Sequence, residues 1–242
     1  MYDEDDRIGI KHLFWALQYA QLKYDWAERL IMAGFDDRKA HKWVAEMGHV
    51  VDEIERSLRF LVQDLNVTER DQILVQVVGW ANYTHYMSAW YFESAMTRLQ
   101  EYLAQNSSAE PDGQTEDTSG RPMEDHSANL DKIKGDVITL LDDVQYRHME
   151  RWPKHLVANG IDEKDAHLWA NEIGFVLDQY RSSLLKLIDV LNETDVERIP
   201  KLVYDWSMFI SDIIVPKVHD PMVALEKRIE PMLPPDPEEN EG

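Results

Sequence analysis

The 242-residue sequence contains no cysteine, which excludes disulfide bonds and every metal site built from thiolates. It also lacks the basic start and apolar stretch of a secretory signal peptide. No apolar run approaches the ~20 residues that a membrane-spanning helix needs. From these absences we expect a soluble, cytoplasmic protein that does not enter a membrane.

Basic residues are scarce: 25 Lys and Arg stand against 46 Asp and Glu, for a net charge of −21. No basic stripe is present, so we expect no nucleic-acid partner. More than half of the net charge lies in residues 1–6, 105–128 and 231–242, which carry −4, −5 and −4. Acidic blocks of this kind are typical of solvated tails and linkers rather than of a folded binding face.

The signatures of the common enzyme classes are also missing. There is no glycine-rich phosphate loop, no Gly-x-Ser-x-Gly turn and no His-Glu-x-x-His pair. The sequence therefore indicates no cofactor, and it favours a protein without catalytic activity while leaving an enzyme open.

What the sequence does contain is an internal repeat. Residues 26–80 align without a gap with residues 152–206, 126 positions later, and 20 of the 55 pairs are identical. In both copies apolar residues recur in steps of four and three, which predicts a long helix with one buried stripe over 36–65 and again over 162–191. We call two residues 126 positions apart counterparts.

The residues that precede each repeated helix predict where it starts. Gly34 and Gly160 are suited to the left-handed backbone that ends a preceding helix. Asp36 and Asp162 then follow as predicted N-caps.

Two further pairs of counterparts lead to structural expectations. Glycine inside a helix is unfavourable by about 1 kcal/mol relative to alanine, so Gly48 and Gly174 predict that another helix backbone passes close by. Thr68 and Thr194 are expected to cap the third helix of each unit, Thr194 through a capping box with Glu197.

The fold class predicted is all-α, a tandem duplication of a three-helix unit packed as a six-helix bundle with pseudo-twofold symmetry. We expect one first helix over 8–33, one third helix over 69–103, and bends near Pro153, Pro216 and Pro221. The predicted boundaries are 7–104 for the first unit, 105–128 for a flexible linker, 129–230 for the second unit and 231–242 for a Pro-rich tail.

Polar residues are also kept in both copies of the repeated helix. They are His41, Glu46 and Asp52, with the counterparts His167, Glu172 and Asp178. They are either buried or half-buried groups that hydrogen-bond to a neighbouring helix, or two equivalent ligand sites. We favour the structural interpretation, because a histidine with a structural hydrogen bond is the commoner case.

The strongest metal-binding pattern is Glu46-x-x-His49. Di-iron bundles need two Glu-x-x-His pairs, and the second is missing because the counterpart of His49 is Phe175. We therefore predict no metal, and we keep Glu46 and His49 as the residues to test for a single ion.

An aromatic-rich stretch, residues 80–92, lies in the third predicted helix of the first unit. Most of its aromatics are absent from the second copy. They either fill the core and contact the second half, which we favour, or form an aromatic-lined pocket or a binding surface, since Tyr and Trp concentrate at interaction hot spots. The predicted partner-binding residues are Tyr83, Tyr86, Trp90 and Tyr91.

Three functional hypotheses follow. The first is a non-catalytic helical protein that binds another protein, as an adaptor, an immunity or anti-defence protein, or an assembly component. The second is a bundle that binds a metal or small ligand, including an enzyme. The third is a structural subunit of a larger particle. We favour the first, with a partner of unknown identity, and leave self-association open.

Overall fold

The computed structural model describes residues 4–18, 26–64, 67–107 and 127–234. These residues form helices and no β-strand, as the sequence predicts. The α-helices are α1 (Glu4–Leu17), α2 (Trp26–Met32), α3 (Asp37–Asp64), α4 (Arg70–Tyr86), α5 (Glu93–Ser107), α6 (Ser127–Ala158), α7 (Glu163–Leu191), α8 (Ile199–Phe209) and α9 (Val215–Ile229). Two π-helical stretches, Met87–Phe92 and Ile210–Ile214, join α4 to α5 and α8 to α9, and a 3-10 turn, Glu230–Met232, follows α9.

The repeated helices are α3 and α7, and each buries its predicted stripe. Gly34 and Gly160 have φ angles of +88° and +85°, which confirms the left-handed turn before each helix. The carboxylate of Asp162 accepts hydrogen bonds from the backbone of Lys164 and Asp165, and that of Asp36 accepts one from Lys39. Both predicted aspartate caps are therefore confirmed.

The other helix boundaries depart from expectation in several places. The first predicted helix is present as α1 and α2, and residues 19–25 between them lie outside the described residues. α6 continues through Pro153, and α9 continues through Pro221. Pro216 stands in the first turn of α9, directly after a π-helical stretch.

The predicted threonine caps are wrong. Glu69 is the N-cap of α4 and makes no capping bond with its side chain. α8 begins at Ile199, five residues after Thr194, and the intervening backbone bonds to the side chains of Glu193 and Asp195. A proline at position 200 is acceptable only in the first turn of a helix, which accounts for the late start.

The expected close helix backbones at the two interior glycines are not found. No atom lies within 4 Å of where a Cβ of residue 48 would be. At Gly174 the near neighbour is the side chain of Met149, whose sulfur would lie 2.5 Å from an added Cβ. The shared glycine thus has a packing reason in one helix only.

One hydrophobic core runs through the described helices, and each helix from α1 to α9 contributes buried residues to it. α4 packs along α9, and α5 packs along α8, so the two halves of the chain interleave. The predicted linker lies outside the described residues except for its first three and last two positions, where α5 ends and α6 begins. Among the described helices, none combines the length and the apolar character that crossing a bilayer requires.

Two side chains join the halves by binding the end of a helix in the other half. The buried guanidinium of Arg29 donates to the carbonyl oxygens of Leu191 and Glu193, both at 3.1 Å, at the end of α7. His155 is the counterpart of Arg29, and its Nε2 donates to the carbonyl of Val67 at 2.7 Å, beyond the end of α3. Val67 is in turn the counterpart of Glu193.

A second pair of contacts repeats in the same reciprocal way. His85 Nδ1 lies 3.1 Å from Glu226 Oε2, between α4 and α9. Their counterparts are Ser211 and Gln100, and Gln100 Nε2 donates to Ser211 Oγ at 3.4 Å. Residue 85 of the first half thus contacts residue 226 of the second, and the counterpart of residue 85 in the second half contacts the counterpart of residue 226 in the first.

Candidate functional site

The outer face of α4 carries a groove of about 440 Å³. Six of its lining residues come from α4, and the seventh follows the last turn after α9. They are Val75, Val78, Gly79, Asn82, Tyr83, Tyr86 and Leu233. We call this feature the α4 groove. Its lining is mostly apolar although it faces solvent, and Val75 is 53% exposed.

At one end the groove continues into a group of rings, the exposed Tyr86, Trp90 and Tyr91 and the half-buried His49, which we call the aromatic cluster. The Tyr86 ring lies roughly parallel to Trp90 at 5.9 Å between centroids, and edge-on to Tyr91 at 6.1 Å. His49 meets Tyr91 edge-on at 5.1 Å. Trp90 is 62% exposed and Tyr86 47%. Exposed apolar groups that adjoin one another in this way mark interaction surfaces in soluble proteins.

The π-helical stretch sets which aromatic residues reach the surface. Its wider turns change the angular spacing of side chains along the helix, and such stretches are often found at functional sites. Trp90 and Tyr91, which are adjacent in sequence, are both exposed there, while Met87 and Phe92 are buried. Two of the three exposed rings of the aromatic cluster, Trp90 and Tyr91, therefore lie within a π-helical stretch.

A buried carboxylate supports the groove from below. Glu53 is 1% exposed, and its Oε2 accepts a 2.5 Å hydrogen bond from the Tyr83 hydroxyl. Its Oε1 accepts a 3.0 Å bond from Arg56. Burial, reinforced by the bond to Glu53, raises the pKa of Tyr83 well above its ordinary value, so the phenol stays protonated and remains a donor.

A second buried polar group lies near Glu53. The hydroxyl of Tyr180 donates to Ser57 Oγ at 3.0 Å, and Ser57 Oγ lies 3.1 Å from Thr84 Oγ1. Trp80 Nε1 donates to the Ser57 carbonyl at 3.0 Å. These hydroxyls fix α3, α4 and α7 against one another beneath the groove, because a displaced partner would leave a buried polar atom unsatisfied.

The corresponding face of the second half is charged at five positions, although the counterparts of Val78, Asn82 and Trp90 are the uncharged Tyr204, Met208 and Pro216. Five residues of the first half at or beside the groove and cluster are uncharged: Phe60, Val75, Gly79, Tyr86 and Tyr91. Their counterparts are Lys186, Lys201, Asp205, Asp212 and Lys217, all of them exposed. For Phe60, Val75 and Gly79 the counterparts lie on the corresponding helices α7 and α8, whereas the π-helical stretch begins three positions earlier in the second half, so Tyr86 and Tyr91 differ from their counterparts in local structure as well.

The repeated polar residues do not form a common site. His41 is exposed and its Nδ1 bonds to the backbone of Asp37 in its own helix, and His167 is exposed as well. The expectation that these histidines bond to a neighbouring helix is wrong for His41, because its ring lies on the solvent side of α3.

The repeated acids are engaged in ion pairs or hydrogen bonds. Arg98 of α5 donates to both carboxylate oxygens of Glu46, at 2.6 and 2.7 Å, and Arg228 of α9 lies 3.7 Å from Glu172. Each of these glutamates therefore contacts the last helix of its own half. The side chain of Asp52 bonds to Gln18, and that of Asp178 to Arg181.

Glu46 and His49, kept as residues to test for a metal ion, have separate partners: Glu46 pairs with Arg98, whereas His49 contacts Tyr91. Over residues 4–18, 26–64, 67–107 and 127–234, no group of three His, Asp or Glu side chains is arranged to hold an ion. The surroundings of Glu46, with a guanidinium on both oxygens, do not favour a cation there.

Comparisons with protein-family models, with curated proteins and with solved structures find no match for this chain. A function for this chain is therefore inferred from its own sequence and structure. The structure brings together Tyr83, Tyr86, Trp90 and Tyr91, the predicted partner-binding residues, on one face.

Sequence reasoning missed Glu53, Val75 and Gly79, which support or line the groove. A comparison of the two copies for changes of charge would have found the last two, whose counterparts are Lys201 and Asp205.

Proposed function

We propose that this chain is a non-catalytic protein that binds another protein through the α4 groove and the aromatic cluster. The observation that carries the proposal is the set of five uncharged positions whose counterparts are all charged. Since the repeated unit accommodates charge at these places in the second half, folding does not require them to be apolar or aromatic in the first. Solvation would favour charge on an unoccupied surface.

The kind of residue exposed supports binding. Tyr and Trp are enriched at the centres of protein interfaces, where each can contribute 2 kcal/mol or more to affinity. Trp90 and Tyr86 project their rings side by side, next to the groove. A rigid aromatic pair on a helix loses little side-chain entropy on binding, which favours it as an anchor.

We further propose that the chain arose by tandem duplication and packs as a pseudo-twofold bundle. In a twofold interface residue i of one unit contacts residue j of the other, and j contacts i. The Arg29 and His155 contacts follow this rule, as do the His85–Glu226 and Gln100–Ser211 contacts. Trp80 and Trp206 also donate to equivalent carbonyls, those of Ser57 and Ser183.

The test is affinity purification of the tagged chain from its native cell, followed by reconstitution with the purified partner. We expect one stoichiometric partner that is lost when Tyr86 and Trp90 are both changed to alanine. The matched control changes Tyr146 and Tyr204, two exposed tyrosines of the second half, to alanine. Equal loss in both double variants, or no stoichiometric partner with the unaltered chain, would show that the surface is not a specific binding site.

A further inference from the structure

The α4 groove has the outline of two adjoining holes of helix packing. When two helices interdigitate, a side chain of one enters a hole formed by four residues of the other, at positions i, i+3, i+4 and i+7. Val75, Val78, Gly79 and Asn82 form one such set, and Gly79, Asn82, Tyr83 and Tyr86 form the next. Together these two sets are the six residues of α4 that line the groove.

Gly79 is a corner of both holes, and its lack of a side chain deepens them. A Cβ built there would meet only Phe60 Cζ, at 3.7 Å, which is ordinary van der Waals contact. Nothing in the fold thus requires glycine, although it weakens a helix by about 1 kcal/mol relative to alanine. A depression kept at this cost on an exposed helix is suited to receive a side chain of a partner.

The charges beside the groove indicate the chemistry of the partner. Asn82 donates to Glu226 at 2.8 Å, and Tyr83 donates to Glu53, so a carboxylate lies behind each of these two lining residues. Arg56 balances the charge of Glu53, whereas Glu226 lies 3.1 Å from His85, which balances its charge only when it is protonated. Outside the acidic segments 1–6, 105–128 and 231–242 the chain still carries −8, so a basic partner is favoured over an acidic one.

We propose that the α4 groove receives an amphipathic α-helix of another protein, with two apolar side chains one turn apart in the holes and basic residues beside them. This inference rests on the proposed function and adds the structural class and charge of the partner. Helix-in-groove recognition of this kind uses anchors spaced by three or four residues. The aromatic cluster extends the contact beyond the second hole.

The probes are two fluorescent peptides of about 18 residues, long enough to form a measurable helix. Both carry leucines at the same helical spacing, and the other positions are lysine-rich in one peptide and glutamate-rich in the other. Anisotropy is measured with the full-length chain at ~150 mM salt, where exposed charges are largely screened beyond about 8 Å. We expect the lysine peptide to bind and the glutamate peptide not to bind.

The decisive variant is Gly79→Leu, which fills both holes without changing charge. We expect it to weaken the lysine peptide at least tenfold while the helix becomes more stable, so that misfolding does not explain the loss. Gly135→Leu is the matched control, because Gly135 is an exposed glycine inside α6 with no atom near its Cβ position. It should leave binding unchanged.

Several results would overturn the inference. Equal binding to the unaltered chain and to Gly79→Leu would mean that charge alone attracts the peptide, and no binding by the lysine peptide would exclude a helix receptor. A dimer of the chain that Gly79→Leu dissociates would make a second copy the occupant. Tighter peptide binding after removal of residues 235–242 would make the chain's own C-terminal segment the occupant.

Suppose that the affinity of a purified partner falls when Tyr86 and Trp90 are changed but is unaltered by Gly79→Leu. That result would contradict the proposal that the groove receives a helix, and it would leave the proposed function standing. A partner that is indifferent to all three residues would contradict both.

Discussion

The outer faces of α4 and α8 come from counterpart stretches of sequence, yet Val75 and Gly79 on α4 correspond to the charged Lys201 and Asp205 on α8. In the second half the ammonium group of Lys186 lies 4.3 Å from the centroid of the Phe209 ring. In the first half the counterparts are Phe60 and Tyr83, whose rings stack at 6.1 Å. At the same place in the sequence repeat, one half therefore has a lysine against an aromatic ring and the other has two stacked aromatic rings.

The interiors of the halves differ as well. Glu53, Tyr83 and Thr84 have the counterparts Gln179, Phe209 and Ile210, and of the hydroxyl groups beneath the groove only that of Tyr180 comes from the second half. Ser183, the counterpart of Ser57, is buried and its hydroxyl has no hydrogen-bond partner. The hydroxyl groups of Ser57, Tyr83 and Thr84 therefore make hydrogen bonds at positions where the second half makes none.

The largest expected effect concerns a buried histidine that the first half lacks. His148 is fully buried, stacks on Trp152 at 4.6 Å, and has no hydrogen-bond partner on either nitrogen. Burial lowers its pKa from 6.5 to about 3. Between these values the unfolded chain binds a proton that the folded chain does not, so stability falls by about 1.4 kcal/mol for each pH unit below 6.5, to a total approaching ~5 kcal/mol.

The counterpart of His148 in the sequence is Leu22, which lies outside the described residues. The variant His148→Leu gives both halves the same residue and should flatten this dependence. Urea unfolding at pH 7.5 and pH 5 measures it, with the exposed His167→Leu as control. Equal losses of stability in the unaltered chain and in His148→Leu would show that His148 is not neutral in the folded state.

The next effect comes from giving α4 the charges of α8. We expect the triple variant Val75→Lys, Gly79→Asp, Tyr86→Asp to remain helical by circular dichroism. It should bind the purified partner at least 100-fold more weakly, about 2.7 kcal/mol, because each change buries a charge or removes an anchor. The opposite variant in the second half, Lys201→Val and Asp205→Gly on α8 with Asp212→Tyr in the following π-helical stretch, should leave that affinity unchanged. Retained affinity in the first variant would place the binding surface elsewhere.

The next prediction compares how much the two reciprocal contacts at the helix ends contribute to stability. Arg29→Ala removes a buried charged donor from two carbonyls, so we expect a loss of about 2–3 kcal/mol of unfolding free energy. His155→Ala removes one bond from a less buried position, and about 1 kcal/mol should be lost. Denaturant unfolding of both variants measures the ratio. A larger loss for His155→Ala would mean that the two contacts are not equivalent in kind.

The smallest effect distinguishes the two interior glycines. Gly48→Ala should stabilise the chain by up to about 1 kcal/mol, because the site has open space and alanine favours a helix. Gly174→Ala should stabilise the chain less than Gly48→Ala, because the same gain in helix propensity is offset by the movement of the Met149 side chain. Thermal unfolding of the two variants measures the difference. Equal stabilisation by both changes would mean that Met149 moves freely and that the contact is unimportant.

Much of the fold could be predicted from sequence because the repeat supplies each signal twice. The buried stripes of α3 and α7, the left-handed glycines and the aspartate caps all depend on local spacing and on backbone geometry. The errors arose where tertiary structure decides. Thr68 is not a cap, and Gly48 faces open space, because the partners of a residue depend on how the helices pack.

The candidate site was predicted in part. Tyr86, Trp90 and Tyr91 could be named from their residue types, and their exposure was not evident because a helix with aromatics all around is more often buried. The π-helical stretch that brings Trp90 and Tyr91 to the surface has no simple sequence signal. Glu53 was missed because a carboxylate on a predicted helix reads as solvated until its burial is seen.

The reciprocal contacts at the helix ends also bear on when the chain can finish folding. Arg29 bonds to carbonyls 162 and 164 residues later, and His155 to one 88 residues earlier. Contacts of such long sequence separation slow folding. During synthesis the first half leaves the ribosome before residues 191 and 193 have been made. The hydrogen bonds of Arg29 to their carbonyl oxygens therefore cannot form until the second half is present.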